Sequence, residues 1–351
     1  MFFLNRKKEI IGIDIGSSAV KLIQLKEHKG SYQLLNAGII PLPAEAIVDN
    51  TLMDSSSIVE AIKNLVSSLG IKTKDVACSI SGNSVIIRKI SLPAMPPEEL
   101  EDQISWEAEQ YIPFDINDVN MDFQILSPDS IDPSKMNVLL VASKKDIIND
   151  YVSVFNEAGL QLSVVDVDSF AVQNAFEVNH EVSSGDVMAL VNVGASVMNI
   201  NVIKDSITLF TRDVQMGGNL YTEEIQKQMG VSGSDAESLK MLAHETRTNA
   251  LTDVLGKVND TITQEIRRSL DFYNSTANED RITKIYVSGG CSKVYNLINN
   301  ISDKLGLPVD IINPFAKLHY NEKDFDPEYL QEIGPLMAVT VGLAIRRVGD
   351  K

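Results

Sequence analysis

A strand-turn-strand pattern occurs twice in this chain, about half a chain apart, and that repeat limits the folds open to it. The first copy is Glu9 to Leu25, EIIGIDIGSSAVKLIQL; the second is Val187 to Ile203, VMALVNVGASVMNINVI. Aligned on their glycines, Gly16 falls on Gly194, Ser18 on Ser196 and Asp14 on Asn192, an offset of 178 in 351 residues. In the first copy Ile11, Ile13 and Ile15, then Val20 and Leu22, alternate with the period of strands. A unit repeated at this distance argues for two related α/β halves facing each other. The turn itself holds Asp14, Gly16, Ser17 and Ser18. Glycine lets a backbone approach closely, amides and hydroxyls donate to phosphate oxygens, and a carboxylate can hold hydrated magnesium. Alone the turn reads more readily as an ordinary hairpin; its recurrence favours the phosphate reading.

Composition narrows the class. Hydrophobic residues make up 44% and charged residues 23%, as in globular proteins with real cores. A net charge of −17 disfavours a nucleic-acid partner, whose phosphates it would repel. Cys78 and Cys291 stand far apart and read as buried free thiols, and the four histidines have no ligand spacing. No apolar run reaches the ~20 residues of a spanning helix. Met1 to Lys8, four apolar residues and then a basic cluster, reads as a frayed terminus rather than a signal peptide.

Between the two copies the periodicity gives a helix over Ser57–Leu69, a strand over Val76–Ile80, and then a β-α-β-β-α-β run from Val85 to Val167 that reads as an inserted α+β unit. After the second copy, Gly217-Gly218-Asn219 opens a helix whose first amides are expected to be free for an anion. Ser234-Asp235 is expected to cap a further helix. A long helix spans Leu251–Tyr273, and a strand over Ile282–Val287 runs into Ser288-Gly289-Gly290-Cys291-Ser292. The segment 41–57 reads as a loop and Gly334–Arg347 as a final helix.

Three glycine turns after strands, at Gly16, Gly194 and Gly289-Gly290, resemble in order and spacing the phosphate 1, phosphate 2 and adenosine motifs of the actin-like ATPase superfamily. Glu237 and Lys240, within SDAESLK, resemble its bacterial AExxK element. The insertion is more specific. SGNSVIIRKISLPAMPPEELEDQISWEAEQYIPFDINDVNMDFQIL (Ser81–Leu126), VVDVDSFAVQNAF and GPLMAVTVGLAIRR resemble the PilM family of type IV pilus assembly, itself similar to the cell-division protein FtsA.

The resemblance implies an actin-like two-domain fold with ribonuclease H-like halves and an FtsA-type subdomain inserted in the first. It divides the chain into 1–84 (first part of subdomain 1A), 85–167 (inserted subdomain 1C), 168–185 (return to 1A), 186–222 (first part of 2A), 223–280 (2B), 281–332 (second part of 2A) and 333–351 (a C-terminal helix packing on 1A). It implies ATP or ADP with Mg2+ in the cleft between the halves. Asp14 would position the metal; Gly16, Ser17, Ser18 and Lys21 would meet the phosphates from one side. Asn192, Gly194, Ala195 and Ser196 would close from the other, with Gly218 and Asn219 beside them. Gly289, Gly290 and Ser292 would bed the adenosine, with Glu237 and Lys240 near the ribose or base.

Asn192 departs from the family pattern, which has an acid there; without charge it is a weaker organiser of magnesium and water, so the cleft reads as a slow ATPase at best. The resemblance also implies a cytoplasmic protein, peripheral to the inner membrane, that holds the cytoplasmic tail of a PilN-like protein in a groove between 1A and 1C and meets other pilus platform proteins. Ile87, Arg88, Tyr111 and Phe114 are candidates for that groove. Tyr111 and Phe114 read equally as core, and Trp106 reads as core. Self-association is left open. The alternatives are an FtsA-like division protein, against which the end of the chain after the last helix counts, a type II secretion scaffold, and a sugar-kinase-like enzyme.

Overall fold

The computed structural model describes residues 9–128, 132–244, 248–277 and 280–350, so the Met1–Lys8 segment lies outside the described residues. The chain opens with an antiparallel meander, β1 (Ile11–Ile15), β2 (Ala19–His28) and β3 (Ser31–Pro41). The expected loop at 41–57 contains a two-residue hairpin, β4 (Ile47–Val48) and β5 (Thr51–Leu52). Helix α1 (Ser55–Ser68) follows, capped by Asp54, which accepts from Ser57 N at 3.0 Å. β6 (Asp75–Ile80) then runs parallel to β1.

From β6 the chain leaves the sheet. β7 (Ile86–Pro93), α2 (Pro97–Ala108), β8 (Val119–Pro128) and β9 (Lys135–Lys144) form a separate unit, a three-stranded antiparallel sheet of order β7-β9-β8 with α2 on one face. α3 (Lys145–Glu157) and β10 (Gln161–Val167) do not belong to it, contrary to the expected boundary at residue 167. β10 pairs in parallel with β6, from Gln161 opposite Asp75 to Val167 opposite Ile80. Parallel neighbours need a crossover, and α3 supplies it: its buried Tyr151, Val154 and Phe155 pack in the same core as α1 and β6. The separate sheet therefore ends at Lys144. α4 (Asp168–Asn179) leads out of the first half.

The second half repeats the first. β11 (Val187–Val193), β12 (Met198–Lys204) and β13 (Ile207–Val214) make the meander, followed by helices α5 (Gly218–Met229), α6 (Gly233–Met241) and α7 (Asn249–Thr276). β14 (Lys284–Ser288), α8 (Leu297–Leu305) and β15 (Val309–Ile311) complete it. The two five-stranded sheets have matching orders, β3-β2-β1-β6-β10 and β13-β12-β11-β14-β15. In each, the first strand of the meander also pairs in parallel with a later strand. The cap of α6 is Ser232, which accepts from Asp235 N, rather than Ser234-Asp235.

α9 (Pro327–Ile333), a 3-10 turn over Gly334–Met337 and α10 (Ala338–Ile345) end the described chain, so the expected final helix is shorter and starts later. α4 and α10 lie between the two sheets: their Ala171, Val172, Phe176, Ala338, Val339 and Leu343 share a core with Ile10, just before β1, with Ala77 of the first sheet, and with Met188, Leu190 and Tyr286 of the second. Two glycines make this close layer fit. A Cβ on Gly12 would lie 2.4 Å from Thr340 O, and one on Gly342 would lie 1.7 Å from Ala171 O. With helices on both faces, every residue of β1 is buried. The alternation visible in the sequence thus separates two cores, not core from solvent.

Candidate functional site

The two repeated turns close identically: Gly16 N donates to Ala19 O at 3.1 Å, and Gly194 N donates to Val197 O at 2.9 Å. They face each other across the gap between the halves, where Ser196 Oγ donates to Ser17 Oγ at 2.8 Å. The cross-strand pairs below the turns also correspond. Asp14 stands opposite Lys21, and Asn192 stands opposite Asn199. The first pair is charged, with Lys21 Nζ 2.7 Å from Asp14 Oδ2. The second is neutral, with Asn192 Nδ2 donating to Asn199 Oδ1 at 3.0 Å.

Beneath the first turn is a half-buried carboxylate that does not stand out in the sequence. Asp168, the first residue of α4, accepts from Ser79 Oγ at 2.6 Å. Burial, and after it the nearby Asp14 carboxylate, push its pKa up to about 7. Asp14 Oδ2 is taken by Lys21, while Oδ1 has no hydrogen-bond donor among the described residues. Among those residues no group of three or more His, Cys, Asp or Glu side chains has a metal-holding arrangement. A magnesium ion here would fit the mode in which one carboxylate, waters and substrate phosphates complete the shell.

In the second half several candidate groups are committed to the protein itself. The first amides of α5 are not free as expected: Gly218 N donates to Gly194 O at 2.9 Å and Asn219 N to Ala195 O at 2.8 Å. These bonds fasten the helix start to the turn, and they require Gly217, whose Cβ would lie 2.4 Å from Gly194 O. Gly289, at φ +85°, is packed so tightly that a Cβ would lie 2.3 Å from Val193 O, whereas Gly290 borders open space. Ser292 Oγ donates back to Gly289 O at 2.8 Å inside the third turn. Lys240 is buried, and its ammonium donates to Glu237 Oε2 at 2.7 Å, Thr222 Oγ1 at 3.2 Å and Gly218 O at 3.3 Å, tying α6 to α5. Cys291 is buried against Gly194 O, and burial pushes its thiol up to about 12; Cys78 is buried and free as well.

The four peptide candidates are not brought into one groove. Ile87 and Arg88, on the free edge of β7, line a cavity of about 330 Å3 with Gly82, Thr211, Arg212 and Asp213. Phe114 lines a second one of about 430 Å3 with Asp118, Lys144 and Asn149, its ring under Lys144 Nζ at 4.1 Å. Tyr111 lines neither and is, like Phe114, 38% exposed. Trp106 is 76% exposed on α2 and fills no core.

Matching sheets, two helices layered between them and a pair of facing glycine turns define an actin-like ATPase fold. Solved structures of that class superpose on the chain: ethanolamine utilization protein EutJ from Carboxydothermus hydrogenoformans with TM-score 0.59 at 14% identity, covering 95% of this chain and 88% of that one, and MreB5 of Spiroplasma citri bound to ADP with TM-score 0.52 at 12% identity, covering 95% and 94%. The profile of the family described as type IV pilus assembly protein PilM matches residues 12–348, and the chain belongs to that family. A solved PilM-PilN type IV pilus biogenesis complex superposes with TM-score 0.87 at 29% identity, over 97% of this chain and 99% of that one. Among curated proteins, FtsA of Bacillus subtilis (strain 168) is 22% identical over 279 residues, 73% of this chain and 62% of its own length. FtsA of Streptococcus pneumoniae is 21% identical over 253 residues, 66% of this chain and 54% of its own. Among the described residues no helix is long and apolar enough to cross a membrane.

Two of the groups the sequence reading missed, Asn199 and Asp168, had different degrees of visibility. Asn199 lies at Lys21 plus the repeat offset of 178, so the repeat itself points to it. Asp168 reaches the cleft only through the topology that delivers α4 beneath the first turn.

Proposed function

We propose that the chain is a nucleotide-binding scaffold of the type IV pilus inner-membrane platform. It takes ATP or ADP with magnesium between its two hairpin turns, and it holds the cytoplasmic tail of a PilN-like inner-membrane protein. The observation that carries the nucleotide reading is the facing of the two turns across 2.8 Å at Ser17 and Ser196. A phosphate chain entering there replaces one hydroxyl-hydroxyl bond with two donors to phosphate oxygens. Gly16, Ser18, Gly194 and Ala195 supply close backbone, and Lys21 swings from Asp14 to a phosphate, leaving the carboxylate to magnesium. Gly290 gives the base room. Asn192, Ser292, Glu237 and Lys240 act by holding the surrounding turns and helices in place. Gly218 and Asn219 fasten α5 to the second turn. Hydrolysis, where it occurs, is slow, because the second turn offers no charged group to the attacking water.

The tail reading is supported by family membership and by the solved PilM-PilN assembly of a relative. The free edge of β7, with Ile87 and Arg88, offers unpaired backbone to an extended segment, and the Phe114 cavity, with Tyr111 beyond it, offers a pocket. Attachment through such a partner places the protein on the cytoplasmic face of the inner membrane.

Calorimetric titration with MgATP tests the cleft. Asp14→Ala is expected to weaken binding by roughly tenfold or more, the scale of losing a charge-assisted contact. Unchanged affinity would remove Asp14 from the site. Recovery of a PilN-like protein from a membrane extract, lost on deleting its cytoplasmic tail, tests the partner.

A further inference from the structure

A line of side-chain hydrogen bonds leaves the cleft through the second half and ends in the first. Ser288 Oγ donates to Asn192 Oδ1 at 3.1 Å, and Asn192 Nδ2 donates to Asn199 Oδ1 at 3.0 Å. Asn199 Nδ2 then donates to Asp213 Oδ1 at 2.8 Å, and Asp213 Oδ2 accepts from Gly82 N at 2.5 Å. Its near end lies under both glycine turns of the second half, since Ser288 precedes Gly289 and Asn192 stands two residues before Gly194. Its far end is the turn between β6 and β7, the stalk from which the three-stranded unit hangs. Asn192 and Asn199 suit this line because each amide offers one acceptor and one donor group, so a rotation of one is passed to the next.

The two halves touch at the far end, beside the cavity that Gly82 and Asp213 line. Asn50 Nδ2 donates to Ser81 O at 2.9 Å, and Gln215 Nε2 of the second half reaches Asn50 Oδ1 at 3.4 Å. Gly82 has φ +62°, and a Cβ on it would lie 2.6 Å from Gln215 Nε2 and 2.9 Å from Asn50 Nδ2. Both of those atoms are ends of side chains that can move, so what ties the halves at this point is the bond from the Gly82 amide to Asp213 Oδ2.

We propose that Asp213 is a latch coupling occupancy of the cleft to the placement of the inserted three-stranded unit. The proposal rests on the nucleotide reading of the cleft. A ligand that seats the Gly194 and Gly289 turns fixes Asn192, which fixes Asn199 and Asp213, which holds the Gly82 amide at the foot of β7. Asp213 is a positioning residue that does not touch the ligand. Coupling is reciprocal, so whatever displaces the β6-β7 turn weakens nucleotide binding by the factor by which nucleotide resists that displacement.

Hydrogen exchange over Gly82–Ile90, followed with and without MgATP, together with the affinity for a fluorescent ATP analogue, tests this on the full chain. In the unaltered protein nucleotide is expected to slow exchange at Gly82–Val85 by about tenfold, within the usual range of coupling between sites. Asp213→Ala should still bind the analogue, about tenfold more weakly, while losing that nucleotide-dependent slowing. Gly82→Ala strains the φ +62° backbone that presents its amide to Asp213, leaves the four side chains of the line intact, and should lose it too. Retention of the slowing in both variants overturns the latch, as does an unaltered chain that binds nucleotide with no change at Gly82. An unaltered chain that binds no nucleotide overturns the cleft reading and the coupling with it.

Discussion

Asp168 makes the sharpest quantitative test of the cleft floor. It is half-buried, and desolvation followed by the Asp14 carboxylate raise its pKa from 3.8 to about 7, with the Ser79 and Ser81 hydroxyls acting the other way. In the folded chain the group keeps its proton up to about 7, whereas in the unfolded chain it releases it near 3.8. The folded state thus binds the extra proton between those values, so stability is lost as pH rises through that window and is fully present only below it. From pH 5 to the folded pKa is about two units, worth roughly 3 kcal/mol. Asp168→Asn keeps the shape and an oxygen to accept from Ser79 Oγ, but it cannot titrate. The stability difference between variant and parent, from urea unfolding at pH 5, 6, 7 and 8, should therefore move in favour of the variant by about 2–3 kcal/mol over that range. A carbon-13 titration of the Asp168 carboxyl gives the same midpoint directly. A difference that stays flat with pH, or a carboxyl that titrates below 5, would refute the reasoning.

The remaining predictions concern packing. Gly342→Ala sets a Cβ 1.7 Å from Ala171 O at the crossing of α10 and α4. Since neither backbone can give way without moving a helix, it should cost about 2 kcal/mol or more in thermal or urea unfolding, and a change within about 0.5 kcal/mol would contradict the close layer. Trp106, the single tryptophan, is 76% exposed. Its fluorescence should be that of a solvated indole open to iodide quenching, and Trp106→Gln should change stability by no more than about 0.5 kcal/mol; a blue-shifted, shielded emission would put it back in a core.

The two halves were legible because their signal is local. The glycine turns at 16 and 194 fall where the sequence repeat places them, and the strands beside them pair in the same register, Asp14 opposite Lys21 and Asn192 opposite Asn199. What was not legible depends on long-range pairing. Leu160–Val167 reads as one more strand of the inserted run, and only its pairing with β6 assigns it to the first sheet. Trp106 follows Leu100 and Ile104 on an amphipathic helix and so resembles a core residue. Yet Leu100, Ile104 and Ala108, at spacing four, already fill the buried stripe, and Trp106 projects beside it. The amides of Gly218 and Asn219 looked free because a helix start always leaves donors over; that Gly194 O and Ala195 O take them follows from the fold of the preceding hairpin.

Asn192 shows how a missing charge changes meaning once its neighbours are known. From sequence, it is the acid the second turn lacks. In the fold its amide nitrogen serves Asn199 Oδ1 and its oxygen serves Ser288, within the line that ends on Asp213 and Gly82. An aspartate at 192 would set a carboxylate against Asn199 Oδ1, replacing a donated hydrogen bond with a repulsion in a buried place where such a loss is expensive. It would also put a second carboxylate one residue away from Asp213, whose own pKa burial already raises. The first turn, whose carboxylate faces Lys21, carries no such constraint. The two jaws therefore differ in kind: one keeps a charge that phosphate and metal can use, and the other uses neutral amides to join the cleft to the seam between the halves.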